Sequence, residues 1–201
     1  MDGVYLVSDN QKTIFNAIKK IFTRVAKDFC YENENRYRFL IRGAIAYGPV
    51  FEGDMIPHLA YKVTDIVFAE NYFKSIIAGL PIIQAFQAEH EAPPFGIYIH
   101  DSARITSEDY DATFKGRWLH WLDDNFLFTP LLLEKMNSFY SFCQMQASLF
   151  DYPKAMRHYR FFLEYLYANS HVVKNQIEKY LKVLEKSIKP EDLTNSFFTN
   201  A

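Results

Sequence analysis

The sequence predicts an α+β fold, in which a β-α-β-α-β segment over roughly residues 3–100 precedes three long helices. Two observations lead to this prediction. Apolar residues form short strand-like runs in the first half, and they recur at i, i+3, i+4 and i+7 in the second half. The composition agrees, because 49% of the 201 residues are hydrophobic, 17% are aromatic, and only 7 are glycine and 8 proline. Long elements around a thick aromatic core are therefore expected, and a disordered chain is excluded.

The first predicted elements are a strand and an amphipathic helix. Residues 4–8 (VYLVS) predict a strand, and Asp9 after them is a good N-cap. A helix of about five turns follows, because apolar residues recur there at helical spacing. These residues are Ile14, Phe15, Ile18, Ile21, Phe22, Val25 and Phe29.

A central strand is predicted next. Residues 39–47 (FLIRGAIAY) are rich in strand-forming and small residues. Gly43 in the middle of this run indicates that another group approaches the backbone closely. Gly48 and Pro49 end the strand.

A helix and a further strand complete the first half. Gly79 followed by Pro81 is typical of a helix start, so a helix is predicted as far as about Glu91. Residues 95–100 (FGIYIH) alternate like a strand. Residues 101–117 are polar and predict a loop that contains at most one short turn.

The remaining chain is predicted to be helical from Trp118 onward. Thr129 and Pro130 resemble an N-cap and a first helical residue. A second helix is predicted to begin near Pro153, and a third to end before Pro190.

Charge and cysteine content exclude several classes of protein. The net charge is -2, so the chain as a whole does not attract polyanions, and no nucleic-acid partner is expected. Cys30 and Cys143 form no CxxC pattern and are expected to be reduced thiols. No apolar run approaches the ~18 residues of a membrane span, and no signal peptide is recognisable. We therefore expect a cytoplasmic protein without a membrane partner.

Three segments together resemble the cyclase homology domain of the class III nucleotidyl cyclases. They are MDGVYLVS at the start, FLIRGAIAYGPVF from Phe39, and IIAGLPIIQAFQAEHEAPPFGIYIH from Ile76. The nearest likeness is to a divergent bacterial branch that includes the antiphage pyrimidine cyclases. The resemblance implies a partial cyclase-like domain over residues 1–105, with a ferredoxin-like antiparallel sheet and helices on one face. It further implies that residues 106–201 form a helical C-terminal bundle packed on that domain.

The same resemblance implies a metal-dependent reaction. Class III cyclases convert a nucleoside triphosphate to a 3′,5′-cyclic nucleotide and pyrophosphate, using two aspartates that hold two Mg²⁺ or Mn²⁺ ions. Asp2 matches the second aspartate, whereas the first would belong to a strand preceding residue 1. Leu80 takes the base-selecting position, and Ile83 and Gln87 take the positions of the family's catalytic Asn and Arg.

The resemblance also suggests a nucleotide-binding set, which comprises Arg42, Gly43, Gly79 and Leu80. The two glycines keep the backbone pattern of the family. Arg42 alternates with Ile41 and could instead be an arginine that faces a partner or solvent. No P-loop, G-x-G-x-x-G turn or G-x-S-x-G elbow is present as an alternative.

Two functions are therefore expected from the sequence. The first is a catalytically degenerate cyclase-like module in cyclic nucleotide signalling that binds a nucleoside triphosphate or dimerises, because cyclase homology domains pair head to tail. The alternative is an active nucleotide cyclase that needs an upstream strand carrying the first metal aspartate.

Overall fold

A computed structural model describes residues 3–53, 77–106, 116–122, 128–146, 152–169 and 173–187. The elements in chain order are α1 (Gln11–Tyr31), β1 (Gly43–Ile45), β2 (Phe51–Glu52), β3 (Ile77–Ala78), α2 (Leu80–Ala88), β4 (Ile97–Ile99), α3 (Asp101–Thr106), α4 (Thr129–Met145), α5 (Tyr152–Asn169) and α6 (Lys174–Ser187). The prediction of a fold that mixes helices and strands is confirmed, and helix predominates. Within these ranges, no helix is long and apolar enough to cross a membrane.

The chain divides into two compact units. Unit 1 comprises residues 1–5, 43–91 and 97–119, and unit 2 comprises residues 6–42, 92–96 and 120–201. Helix α1 belongs to unit 2 because it packs on α4, where the Phe29 and Phe139 ring centroids lie 5.7 Å apart. The sequence predicted a domain boundary at residue 105, and that boundary instead assigns α1 to the first domain.

Unit 1 contains two small sheets. Strands β1 and β4 pair in parallel, with Gly43 opposite Ile97, whereas β2 and β3 pair antiparallel, with Phe51 opposite Ala78. The parallel pair differs from the predicted antiparallel sheet. The physical reason for the parallel pairing is the connection between β1 and β4. It includes helix α2, and a chain that returns through a helix can bring the next strand back in the same direction.

The prediction of a strand over residues 4–8 is wrong. Residues 3–8 have irregular structure, and the side chain of Val4 is 87% exposed. Strand-forming residues make a strand only when a neighbouring strand accepts their hydrogen bonds, and no described residue pairs with this segment. The predicted strand over residues 39–47 is shorter than expected, since only β1 is formed.

Two further predictions fail around β4. Residues 101–117 are predicted to be a loop with at most one short turn, yet the six-residue helix α3 forms one residue after the end of β4. Trp118 was expected to begin a helical region, but it forms an antiparallel bridge to Tyr98. The amide of Leu119 donates to the carbonyl of Ile97 at 2.9 Å, so pairing with β4 overrides the local helical preference.

Unit 2 is a set of helices that pack around aromatic side chains. The described core includes Phe22, Phe29, Phe95, Trp121, Phe139, Phe162 and Tyr165, all of them buried. The indole of Trp121 donates a 2.7 Å hydrogen bond to the carbonyl of Phe95. Helix α1 begins one residue later than predicted, because Asn10 rather than Asp9 is the cap and accepts from the amide of Thr13 at 3.1 Å.

Candidate functional site

The predicted nucleotide-binding residues fall in two places. Gly43 begins β1, and Gly79 and Leu80 stand at the start of α2, which contacts β1 within unit 1. Arg42 belongs to unit 2, where its Nη1 lies 3.5 Å from Nε2 of His158. Asp2, the predicted metal ligand, lies outside the described residues. The structure therefore places both glycines and Leu80 on neighbouring elements, while the Arg42 side chain belongs to a different cluster.

Two glycines allow a close approach at the start of α2. Gly79 has a φ of 157°, and a Cβ there would lie 2.6 Å from the carbonyl oxygen of Pro49. A Cβ on Gly48 would lie 2.9 Å from Cγ of Pro81. Because real Cβ atoms do not come this close to other atoms, a side chain at either position would force the two segments apart. These glycines therefore set where α2 begins.

Helix α2 presents one face to solvent. Leu80 and Ile83 are 63% and 55% exposed, and Gln87 on the same face is also exposed, at spacings of i, i+3 and i+7. Pro81 and Ala88 are buried on the other side. The three positions that the resemblance assigns to base selection and catalysis are thus brought together on one accessible surface. Two of the three side chains are apolar.

The ends of β1 and β4 form a junction that the sequence reasoning missed. Parallel strands have their carboxyl ends at the same edge, and here the amide of Tyr47 donates to Oγ of Ser102 at 3.0 Å. The amide of Ser102 donates to Nδ1 of His100 at 3.1 Å, so Nδ1 is the unprotonated nitrogen. Oγ of Ser102 also lies 3.0 Å from that Nδ1. The sequence feature that could have identified this junction is a His and a Ser two residues apart, directly after a predicted strand.

This junction caps α3. His100 precedes the helix, and the amides of Ala103 and Arg104 donate to its carbonyl. The His100 imidazole accepts from the amide of Ser102 at the helix start, and the Ser102 hydroxyl accepts from the amide of Tyr47, which joins the helix to the segment just after β1. We therefore read the arrangement as structural support rather than as a nucleophile and its base.

Two arginines flank Tyr98 on β4. The guanidinium carbons of Arg104 and Arg117 lie 5.7 and 5.6 Å from the Tyr98 ring centroid. Each arginine also pairs with a carboxylate: Arg117 with Glu91 at 2.8 Å, and Arg104 with Asp101. Because each positive charge has an adjacent negative one, the group is electrically balanced and is not specialised for binding anions.

Arg42 lies beside a tyrosine cluster in unit 2. Tyr140 and Tyr159 stack with their ring centroids 4.6 Å apart, and the Tyr159 hydroxyl donates to Oδ1 of Asn137 at 3.0 Å. Burial raises the pKa of Tyr140 well above its usual value, and the nearby Arg42 charge opposes that shift. A guanidinium only donates, so Nε2 of His158 is the acceptor in its contact with Arg42.

The described residues offer neither a reactive thiol nor a metal site. Cys30 and Cys143 are free and buried, and burial raises their pKa values to about 12 and about 11. Thiols with such pKa values stay protonated at neutral pH and are poor nucleophiles. Within the same part of the chain, no group of three His, Cys, Asp or Glu side chains could hold a metal ion.

Comparison with known proteins gives no relative: no family model, no curated protein and no solved structure matches the chain. The site is therefore judged from its own geometry and from the sequence motifs.

Proposed function

We propose that this chain is a class III nucleotidyl-cyclase-like module whose main role is self-association rather than catalysis. The proposed fold is the cyclase-like one, with a helical C-terminal bundle beside it. The single observation that supports the proposal most directly is the exposure of Leu80, Ile83 and Gln87 on one face of α2. In class III cyclases the Asn and Arg at the positions of Ile83 and Gln87 are supplied by the dimer partner, so the resemblance implies that this helix face meets a second cyclase domain.

The side chains on this face do not suit the reaction. Stabilising a pentavalent phosphate requires donors and positive charge, and Ile83 has no polar atom while Gln87 has no charge. Removing one such donor costs about 100- to 1,000-fold in rate, and both family positions are changed here. Leu80 likewise cannot accept a hydrogen bond from a purine. These substitutions support a module with little or no turnover of its own.

The same side chains suit an interface. Large apolar residues that stay exposed on one surface are typical of a contact with another protein. Unit 1 also exposes Ile77 on β3, which directly precedes α2 in the chain, and Phe51 on β2, which pairs with β3. Covering such surface contributes about 25 cal/mol for each Å² buried. A second copy is the proposed partner, which would make the protein a homodimer.

Nucleotide binding is the second part of this proposal. Gly43 and Gly79 retain the backbone positions of the family set, and Leu80 retains the base-selecting position. The guanidinium of Arg42 lies beside His158, so the proposed nucleotide contact rests on Gly43, Gly79 and Leu80. Binding of Mg²⁺ or Mn²⁺ would require Asp2 and a second aspartate as ligands.

Sedimentation velocity tests the self-association. We expect the wild-type chain to sediment as a dimer at tens of micromolar and Ile83→Glu to sediment as a monomer, because a buried unpaired carboxylate disrupts an interface. Met145→Glu is the matched control, since Met145 is an exposed apolar residue near the end of α4 in unit 2. The proposal fails if the wild type is a monomer, or if both variants dissociate equally.

Product analysis tests the lack of catalysis. The chain is incubated with each of the four ribonucleoside triphosphates and Mg²⁺ or Mn²⁺, and the products are analysed by mass spectrometry. We expect no cyclic nucleotide. A cyclic product that disappears in Asp2→Ala would instead establish an active cyclase.

A further inference from the structure

One face of α1 carries a row of cations. Lys12, Lys20, Arg24 and Lys27 are all exposed, and the last three follow one another at i, i+4 and i+7. Helix α1 contains five Lys or Arg residues and one acidic residue, Asp28, which pairs with Arg24 at 3.0 Å. The positive charge is therefore concentrated on this helix, although the whole chain has a net charge of -2.

The row of cations ends in a loop with exposed aromatic rings. Tyr31 continues the same face at i+11 from Lys20 and is 70% exposed. Tyr37 and Phe39 in the loop after α1 are 60% and 59% exposed. From Lys20 to Tyr31 this face extends about 16 Å along the helix, and Lys12 lies two turns earlier, about 80° around the helix from Lys20. All of these residues belong to unit 2.

Contacts of the Arg38 guanidinium hold the loop over residues 31–39 in place. Its guanidinium donates to the carbonyl of Glu32 at 2.7 Å and to Oδ1 of Asn35 at 2.6 Å. It also lies over the buried ring of Phe29, 5.3 Å from the centroid. The aromatic rings are therefore presented on an ordered loop, so little entropy is lost when a ligand stacks on them.

We propose that the α1 row and the 31–39 loop form a binding surface for single-stranded nucleic acid. Such surfaces combine cations that follow the phosphate backbone with aromatic rings on which bases stack. The guanidinium of Arg36 lies 4.7 Å from the Tyr37 centroid and pairs with Glu34 at 2.7 Å, so it adds a flat stacking surface while the lysines of α1 supply the positive charge. A paired duplex would not expose its base faces to these rings, so the single-stranded form is the fitting ligand.

Other anionic partners fit this surface less well. A lipid bilayer is bound by a helix that inserts its apolar face, but the apolar face of α1 is already buried in unit 2 through Phe22, Ala26 and Phe29. An acidic protein segment would satisfy the cations but would leave the aromatic rings without flat partners. The combination of both features therefore favours a polymer that carries phosphates and bases.

Fluorescence anisotropy tests the proposal with the full-length chain and a labelled oligouridylate of about twenty nucleotides, longer than a typical binding site. We expect binding at about 50 mM salt that weakens steeply as salt rises, with a slope near -0.7 for each phosphate contact. Lys20→Gln combined with Lys27→Gln is expected to flatten that slope by about 1.4. The matched control replaces Lys179 and Lys182, two exposed lysines of α6, and is expected to leave binding unchanged.

The aromatic contribution is tested separately. Tyr31→Ala combined with Tyr37→Ala is expected to weaken binding about ten-fold or more, and the Tyr→Phe pair is expected to restore it, because stacking requires only the ring. The proposal is overturned if the oligonucleotide does not bind at low salt. It is also overturned if polyglutamate or vesicles of anionic lipid bind as tightly, or if the Tyr→Ala pair has no effect. None of these readouts depends on the dimer proposed for α2.

Discussion

The two units of this protein bury their apolar side chains to different extents, and most of the buried apolar residues that the structure describes belong to unit 2. Unit 2 buries its aromatic residues in edge-on contacts, such as Phe29 against Phe95 at 5.2 Å. Unit 1 contains strands of only two or three residues, and it leaves Leu80 and Ile83 on the surface. Long helices have continuous apolar faces that cover one another, whereas two-stranded sheets are marginal on their own. Unit 2 is therefore expected to dominate the stability, and unit 1 to contribute the surface for assembly.

Removing α5 and α6 is the most severe test of this contrast. A chain that ends at residue 151 loses the fully buried Phe162, Leu163 and Leu166 of α5, which packs on α4. Each such side chain is worth about 2–5 kcal/mol, so their sum approaches the ~5–15 kcal/mol that holds a whole domain together. We expect an insoluble or molten product, judged by near-ultraviolet circular dichroism and amide dispersion.

A chain that ends at residue 187 is the control, because it keeps every helix named above. If the chain ending at residue 151 has a dispersed spectrum and an unchanged melting temperature, the C-terminal helices are an independent appendage and unit 2 is not one cooperative core.

A single substitution in the core tests the stability of the same unit and is expected to have a smaller effect. Trp121 is buried, lies 5.6 Å from the ring of Phe22, and donates to the carbonyl of Phe95. Trp121→Ala is expected to lower stability by about 3–5 kcal/mol, which lowers the melting temperature by about 6–20 °C for a chain of this size. Thermal unfolding by circular dichroism measures the change. Tyr37→Ala, at an exposed position, serves as the comparison and should change little; equal effects would refute the contrast.

Alkaline pH should weaken unit 2 in particular. Burial raises the pKa of Cys30 to about 12 and of Cys143 to about 11, and it also raises the pKa values of Tyr159 and Tyr165. The folded chain therefore holds more protons than the unfolded chain above pH 9, and its stability falls as the pH rises toward 11–12. Below pH 9 this contribution is fully present.

The measurement is the melting temperature as a function of pH. We expect a plateau up to about pH 9 followed by a decline, and a shallower decline in Cys143→Ala because one titrating group is gone. A melting temperature that stays constant up to pH 11 would show that these groups titrate normally in the folded chain.

The smallest expected effect belongs to unit 1. Gly79→Ala places a Cβ 2.6 Å from the carbonyl oxygen of Pro49 at a φ of 157°, and the strain is expected to cost about 1–3 kcal/mol. Gly116→Ala is the matched control, because its nearest neighbour would be the carbonyl oxygen of Trp118 at an ordinary 3.5 Å. Urea unfolding of both variants measures the difference. Equal midpoints would mean that the close approach at α2 does not matter for stability.

The sequence by itself predicted α1, α2 and the three C-terminal helices well, although it missed α3. The periodic apolar residues of α1 predicted its face, and Gly79 before α2 with Pro81 in its first turn predicted its start. A helix satisfies its backbone hydrogen bonds within a few residues, so local patterns determine it.

Only the tertiary structure decided the strands and the grouping of elements. Residues 4–8 have the composition of a strand and remain irregular, whereas Trp118 lies in a run with helical spacing and pairs with β4 instead. A strand exists only where another segment accepts its hydrogen bonds, and that partner can lie far away in sequence. The contacts of the Arg42 side chain likewise depend on residues that lie far away in sequence. The family resemblance suggested a nucleotide contact for it, but the packing of α4 and α5 places His158 and Tyr140 beside it.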